Sequence, residues 1–128
     1  MPDRTSVNTG THWESIAGYA RAVRVGNQIW VSGTTATDSD GRLVGGNDPA
    51  EQLRFIIRKI EQAIAQLGGA LQHVVRTRIY VRDISLWEPV ARVHGEFFGD
   101  IRPANTMVEA RLVGDEYLVE MEADALIS

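Results

Sequence analysis

The side chains able to bind or react fall at alternate positions of four segments with the period-two pattern of β-strands. This alternation predicts that they share one face of a sheet. They are Trp30, Ser32, Thr34, Arg76, Arg78, Tyr80, Arg82, Asn105, Met107, Glu109, Arg111, Glu120, Glu122 and Asp124. The set combines carboxylates, guanidinium groups, hydroxyls and an amide, which can pair with one another or hold a small polar ligand.

Two interpretations of this polar face stay open. It is a solvated face of an antiparallel sheet, or it is a subunit interface with paired charges and a cleft. Trp30, Tyr80 and Met107 favour the interface, because aromatic residues and methionine are enriched at interfaces. Buried arginines and carboxylates would then have to pair. Taken alone, Glu120 is best interpreted as a cross-strand partner of Arg76 or Arg78.

Other chemistry finds little support in the residue types. The chain has no cysteine, which excludes disulfides and thiolate sites, and its three histidines lack metal-ligand spacing. His94 is interpreted as a hydrogen-bonded structural histidine. Ser32 lies outside any nucleophile-elbow motif. The segment 38–41 is predicted to be a plain turn and not a calcium-binding loop, because the closing glutamate of such a loop is missing.

The elements that must position these residues alternate along the chain. Strands are predicted at 19–25, 29–35, 74–81, 105–112 and 117–125, with a hairpin turn at Gly26-Asn27 and a turn at Gly114-Asp115. A long helix begins after Asp48, and a second helix follows a capping box from Ser85 to Glu88. The prediction is an α+β fold with a mostly antiparallel sheet and both helices on one face.

The apolar halves of the same patterns predict the core. The long helix has the stripe Leu53, Ile56, Ile57, Ile60, Ile64 and Leu67, and the second helix has Trp87, Val90, Val93 and Phe97. The strand positions expected under the helices are Val75, Thr77, Ile79, Val81, Val108, Ala110, Leu112, Val119, Met121, Ala123 and Ala125.

Composition sets limits on function and location. A length of 128 residues fits a single domain, 1–128. The net charge of −4 argues against a nucleic-acid partner. No apolar run has membrane-spanning length, and the first residues lack a signal-peptide pattern, so we expect a cytoplasmic protein.

Five segments together resemble the reactive-intermediate deaminase (RidA/YjgF) family. They are Val31-Ser32-Gly33, the strand 75–83, Phe97-Phe98, Arg102-Pro103-Ala104 and Glu120-Met121-Glu122-Ala123. The resemblance spans nearly the whole chain and implies a chorismate-mutase-like fold. It also implies a homotrimer in which three sheets form a central β-barrel with the helices outside, and small-molecule clefts between subunits. It implies no metal and no cofactor.

The resemblance also implies which residues form the cleft. Glu120 is the expected catalytic carboxylate, and Tyr19, Ser32 and Asn105 are expected to bind the substrate. Asn105 departs from the family, in which an arginine usually holds the substrate carboxylate at this position. Loss of such a charged hydrogen bond costs roughly 1.5–3 kcal/mol. Arg78 is the best candidate to replace it, and Met107 is expected beside it in the cleft.

Three functions follow as alternatives. The first is a cofactor-independent hydrolase that acts on a small imine, enamine or related reactive metabolite, with activity altered by Asn105. The second is a non-catalytic trimer that binds or senses a metabolite. The third is a ribonuclease or translation inhibitor, which the acidic balance and the lack of a histidine pair disfavour. The sequence does not name the substrate.

Overall fold

A computed structural model describes residues 3–128 as one six-stranded sheet with two long helices. The strands are β1 (Arg4–Val7), β2 (Ala22–Val25), β3 (Gln28–Thr34), β4 (Val74–Val81), β5 (Ala104–Glu109) and β6 (Val119–Leu126). The helices are α1 (His12–Ala17), α2 (Pro49–Gln66) and α3 (Trp87–Phe98). The strand order is β1-β2-β3-β6-β4-β5, and β4-β5 is the parallel pair of the described sheet. The predicted α+β class is confirmed.

The core lies between the sheet and the two long helices, as their apolar stripes predicted. Leu53, Ile56, Ile57, Ile60 and Ile64 of α2 are fully buried. From α3, Val90, Val93 and Phe98 are buried, Phe97 is partly buried, and Trp87 is more than half exposed. From β6, Val119, Met121, Ala123 and Ala125 face the helices. The opposite face of the described sheet is the polar one.

Helix α2 begins where its capping residues predict. The Asp48 side chain accepts hydrogen bonds from the backbone N–H groups of Ala50 and Glu51, at 2.9 and 3.5 Å. Pro49 occupies the first turn, where a missing N–H costs nothing. One buried polar residue, Gln52, ties this helix to the chain before β6. Its side chain donates to the Gly46 and Glu116 carbonyls and accepts from the Leu118 N–H.

The start of α3 differs from the predicted capping box at Ser85. The Asp83 carboxylate accepts hydrogen bonds from the backbone N–H and the hydroxyl of Ser85, at 2.9 and 2.8 Å. A 3₁₀ turn over Ile84–Leu86 then leads into the helix at Trp87. The capping residue is therefore Asp83, two residues before the predicted Ser85, because the carboxylate directly before the turn accepts from the donors of Ser85.

The hairpin at Gly26-Asn27 is confirmed, since Val25 pairs with Gln28 across it. The strand before it starts at Ala22 rather than at the predicted residue 19. Sequence patterns also missed β1 and α1. The short β1 pairs with β2 at the edge of the sheet, and α1 ends at Gly18 in the left-handed conformation.

A bulge in β4 changes which of its residues are buried. The pairing of β4 with β6 shifts between Val74 and Arg76. Val74 is therefore buried, whereas Val75 is 49% exposed, contrary to the predicted inward face. Beyond the bulge, Thr77, Ile79 and Val81 face the helices as predicted.

Strand β5 lies in the opposite phase to the prediction. It pairs in parallel with β4, so that Asn105 aligns with Thr77 and Met107 with Ile79, both on the helix side. Val108, predicted to be under the helices, is 43% exposed on the other face. Strand β5 ends at Glu109, which leaves Ala110 and Leu112 beyond it. Period-two alternation fixes which residues share a face but leaves open which face is buried.

The last two strands are not neighbours in the sheet. Strand β6 lies between β3 and β4 and is antiparallel to both, and β5 forms the edge beyond β4. Strand β6 starts at Val119, two residues after the predicted start; the backbone N–H of Leu118, just before it, donates to the Gln52 side chain. Within residues 3–128, no helix combines the length and the apolar character that crossing a membrane requires.

Candidate functional site

Glu120 projects from β6 on the face opposite the helices. Its neighbours Val119 and Met121 are fully buried, so strand alternation directs its side chain to the other side. The carboxylate lies directly against Gly33 of β3, where a Cβ atom would come within 2.1 Å of Glu120 Oε2. The pairing of β3 with β6 is irregular between Val31 and Thr34, next to this contact. The glycine therefore provides the space that the carboxylate occupies.

The surroundings of Glu120 favour a proton acceptor stronger than a free glutamate. Burial raises the pKa of its carboxyl group above the ordinary 4.5, the positive charge of Arg21 partly opposes this, and Glu122 raises it further. Its basic form is consequently lost at a higher pH than that of an exposed glutamate. A general base gains strength in this way while it remains ionised near neutral pH.

Arg21 is the site residue that the sequence patterns missed. Its side chain is only 3% exposed, and it donates to the Gly33 carbonyl at 2.5 Å and to Thr34 Oγ1 at 2.9 Å. Its Nη2 lies 3.6 Å from the buried Glu14 carboxylate. The sequence offered one signal: Arg21 lies between two alanines just before an apolar strand. A guanidinium that becomes buried in such a position must be paired, which would have predicted polar partners for it.

Tyr19 and Ser32 adjoin the same arginine. The Tyr19 hydroxyl accepts a hydrogen bond from Arg21 Nη2 at 3.3 Å. The Ser32 hydroxyl donates to the Ala20 carbonyl at 2.7 Å, and the Ser32 N–H donates to the Arg21 carbonyl. The structure thus brings Tyr19, Ser32 and Glu120 around Arg21 and Gly33. The Ser32 hydroxyl thus ties β3 to the segment before β2.

A small cavity opens beside Tyr19. It has a volume of about 220 Å³, and its lining residues are Asn8, Gly10, Thr11, Glu14, Ser15 and Tyr19. Glu14 is held there by the Thr9 backbone N–H and by the hydroxyls of Thr9 and Thr11. Burial alone would raise the pKa of Glu14, but these hydrogen bonds and Arg21 outweigh it and lower the pKa. Glu14 is therefore an ionised anchor of the segment before β2.

Asn105 and Met107 lie on the other face of the sheet from Glu120. Asn105 Nδ2 donates to Thr77 Oγ1 at 2.9 Å, and Thr77 Oγ1 forms a hydrogen bond with His94 Nε2 at 2.8 Å. Met107 packs against the core. The prediction that both residues face away from the helices is wrong, because β5 aligns with the helix-facing residues of β4. Within one chain, neither residue shares a surface with Glu120.

His94 agrees with its interpretation as a structural histidine. Burial lowers its pKa, which favours the neutral ring. The ring stacks on Phe98 with centroids 4.6 Å apart and satisfies one nitrogen with Thr77. The resulting chain from Asn105 through Thr77 to His94 holds the amide at the edge of the sheet.

Arg78 belongs to the ion-paired polar face. Its Nη1 lies 3.3 Å from Asp124 and 3.5 Å from Glu122, and Tyr80 donates a hydrogen bond to Glu122. This hydrogen bond, together with burial, raises the pKa of Tyr80. Arg78 aligns with Thr106 and not with Asn105. The expectation that Arg78 and Asn105 project to the same face is therefore wrong.

The alternative pairing of Glu120 with Arg76 or Arg78 is also wrong. Arg76 donates to Thr106 Oγ1 at 2.7 Å, and Arg78 is occupied by Glu122 and Asp124. Among the ion pairs within residues 3–128, none includes Glu120. This carboxylate therefore differs from its neighbours on β6, which have direct polar partners.

Comparison with known proteins gives relatives that agree with one another over most of the chain. The profile of the family described as Endoribonuclease L-PSP matches residues 9–127. The 3-aminoacrylate deaminase RutC of Acinetobacter baylyi is 30% identical over 125 residues, which are 98% of this chain and 98% of that protein. A RutC family protein of Pyrococcus abyssi is 34% identical over 111 residues, 86% of this chain and 87% of the relative.

A solved structure agrees with these sequence relatives. The crystal structure of a YjgF/YER057c/UK114 family member from Mycobacterium tuberculosis superposes with a TM-score of 0.89 at 48% identity. The match covers 98% of this chain and 100% of that chain. Fold and sequence therefore point to one family.

Proposed function

The chain belongs to the Endoribonuclease L-PSP family, which includes the YjgF and RutC proteins, and we propose that it hydrolyses a small imine, enamine or related reactive intermediate. The observation that carries the proposal is the Glu120 carboxylate. It is partly buried against Gly33, lacks an ion-pair partner within 4 Å among the described residues, and has a raised pKa. These are properties of a proton acceptor and not of a structural ion pair.

The proposed reaction uses Glu120 as a general base. The carboxylate accepts a proton from a water molecule, whose oxygen forms a bond to the imine carbon. The electrons of the carbon–nitrogen double bond pass to the nitrogen, which takes that proton from Glu120 to give a carbinolamine. Glu120 then accepts the proton of the carbinolamine hydroxyl and the nitrogen takes a second proton, so that the carbon–nitrogen bond breaks, ammonia leaves and a carbonyl product forms. Each proton moves between water, Glu120 and the substrate nitrogen, so the reaction requires no cofactor.

The complete cleft is proposed to lie between subunits of a homotrimer. Glu120 and Asn105 lie on opposite faces of one sheet, so a site that includes both requires a second copy of the chain. The exposed apolar residues Trp30, Val108 and Leu126 on the polar face support such an assembly. Tyr19, Ser32 and Glu120 would then come from one subunit, with Asn105 and Met107 from the next.

Asn105 favours a second candidate function, metabolite binding without catalysis. Its amide is neutral and already donates to Thr77, so it offers no charged clamp for a substrate carboxylate. Arg78 is an unsuitable substitute, since its guanidinium is paired with Glu122 and Asp124. A ribonuclease function gains no support from the net charge of −4 or from the neutral structural His94.

The deciding experiment is a coupled assay on the purified protein. A pyridoxal-phosphate lyase generates a reactive imine or enamine, and the release of keto acid and ammonia is followed with and without this protein. We expect acceleration that Glu120→Gln lowers by about 100-fold or more, in line with general-base catalysis. Asp124→Asn, on the same face of β6 but ion-paired with Arg78, is the control. Binding of the intermediate without acceleration would favour the non-catalytic alternative.

A further inference from the structure

Arg21 and Glu120 contact the same glycine from different directions. The Gly33 carbonyl accepts from Arg21 Nη1 at 2.5 Å, and the Gly33 Cα side faces Glu120 Oε2. A buried guanidinium and a partly buried carboxylate thus adjoin one residue of β3. Arg21 also holds Thr34 Oγ1, which fixes the strand immediately after the glycine.

The environment of Arg21 leaves its charge only partly compensated. The Glu14 carboxylate is 3.6 Å away and already accepts three hydrogen bonds from Thr9 and Thr11. Arg21 Nε is buried and has no hydrogen-bond partner among residues 3–128. A buried charge with incomplete pairing exerts its field over several ångströms, because the surrounding dielectric constant is low.

Other charges near Glu120 do not supply this field. Glu122 on the same strand is negative, and Tyr80, the cross-strand partner of Glu120, donates to Glu122. Lys59 of α2 faces Arg21, donates to the Thr37 carbonyl, and has a pKa lowered first by burial and then by Arg21. Among residues 3–128, Arg21 is therefore the cation that acts on the Glu120 carboxylate.

We propose that Arg21 is a positioning residue for Glu120: it fixes the Gly33 peptide against which the carboxylate rests, and its positive charge opposes the effect of burial on that carboxylate. The inference rests on the proposed function of Glu120 as a general base. It assigns to Arg21 no contact with substrate. Loss of its charge leaves the burial of Glu120 unopposed, so the pKa of Glu120 rises and its basic form is lost at a higher pH.

The test measures the Glu120 titration directly by carbon-13 NMR of labelled glutamate side chains, with the resonance assigned by Glu120→Gln. We expect Arg21→Gln to move the titration to higher pH and Arg21→Lys to bring it back towards the natural value. Arg92→Gln removes the same charge from an exposed position on α3 and should leave the titration unchanged. An unchanged titration in a folded Arg21→Gln variant, or an equal shift in Arg92→Gln, overturns the proposal.

A second measurement needs no variant of Arg21. In the natural protein, the Arg21 Nε–H resonance should shift with pH at the midpoint of Glu120, and Glu120→Gln should abolish that shift. A resonance that stays constant through the Glu120 titration overturns the proposal even if Arg21→Gln fails to fold. Neither measurement requires turnover. If Arg21 and Glu120 respond to each other as expected but no imine hydrolysis is detected, the role of Arg21 stands and only the proposed hydrolase function is refuted.

If turnover is observed, its pH profile separates positioning from stability. The acid limb for Arg21→Gln should move to higher pH, in addition to any loss on the plateau that follows from the displaced Gly33 peptide. A loss by the same factor at every pH, with the acid limb unmoved, would mean that Arg21 only supports the fold, and this result would overturn the assignment.

Discussion

At the scale of single residues, Gly33 determines whether Glu120 can occupy its position. Gly33→Ala would place a Cβ atom 2.1 Å from Oε2, so the carboxylate must move. The clash involves the flexible end of a side chain, which should spare the fold. We expect the melting temperature to change by only a few degrees while imine hydrolysis falls at least about 10-fold, because a misplaced base loses its alignment with the attacking water.

The control for Gly33→Ala is Gly95→Ala on the exposed side of α3. A Cβ atom at Gly95 meets nothing within 4 Å. Alanine is the better helix former by roughly 1 kcal/mol, so this variant should be slightly more stable and equally active. Full activity in Gly33→Ala would show that the position of the carboxylate against β3 is irrelevant to turnover.

Asn105 determines the expected substrate preference. Asn105→Arg should raise hydrolysis of carboxylate-bearing imines by about 10- to 100-fold, the equivalent of one charged hydrogen bond of roughly 1.5–3 kcal/mol. The exposed edge of β5 leaves room for the longer side chain, and Arg78 lies on the other face and does not repel it directly. Asn27→Arg in the β2-β3 turn is the matched control.

The same coupled assay, run with 2-aminoacrylate and with an imine that lacks a carboxylate, checks this prediction. The gain should appear only with the carboxylate-bearing substrate. An equal gain with both substrates, or a natural protein as active as an arginine-bearing relative, would contradict the role given to Asn105.

At the scale of elements, prediction from sequence succeeded where a sequence pattern is compatible with only one local structure. The caps and apolar stripe of α2 left little choice, and the Gly26-Asn27 turn forced a hairpin. Strand β6 alternates so regularly that the faces of Glu120 and Met121 were predicted correctly. These features depend on local geometry, which the sequence encodes directly.

Prediction failed where the outcome depends on a partner strand. The phase of β5 is set by its parallel alignment with β4, which places Asn105 beside Thr77, and no pattern within residues 105–112 contains that information. The bulge after Val74 likewise moves Val75 from the predicted helix-facing side of the sheet to an exposed position. Arg21 was missed because its partners come from residues 14, 33 and 34, which are distant in sequence.

Gln52 offers a test of how α2 is tied to the rest of the fold. Gln52→Leu removes three hydrogen bonds and leaves the Leu118 N–H and two carbonyls without this partner. We expect a loss of about 1–3 kcal/mol in the free energy of unfolding, the cost of unsatisfied buried polar groups. Urea denaturation at one fixed chain concentration measures it.

Gln62→Leu, at an exposed position of the same helix, is the control for Gln52→Leu and should change the unfolding free energy by less than about 0.5 kcal/mol. Equal effects of the two substitutions would mean that the hydrogen bonds of Gln52 contribute no more than a surface position.

At the scale of the whole molecule, the open face of the sheet is the proposed subunit contact. Several of its charged residues are already paired within one chain, as Arg78 is with Glu122 and Asp124, which lowers the cost of burying them. Around this cluster lie Trp30, 43% exposed, and Val108 and Leu126, which are similarly exposed. This combination of paired charges and accessible apolar side chains is typical of a surface that becomes buried on assembly.

The protein should therefore sediment at three times the mass of one chain at micromolar concentration. Trp30→Lys puts a charge among these apolar side chains, and we expect it to weaken association by about 2 kcal/mol or more, roughly 30-fold in the dissociation constant. Gln62→Lys adds the same charge to the exposed side of α2 and should leave the mass unchanged. A natural protein that sediments as a monomer or dimer contradicts the barrel, and with it a cleft that joins Glu120 of one subunit to Asn105 of the next.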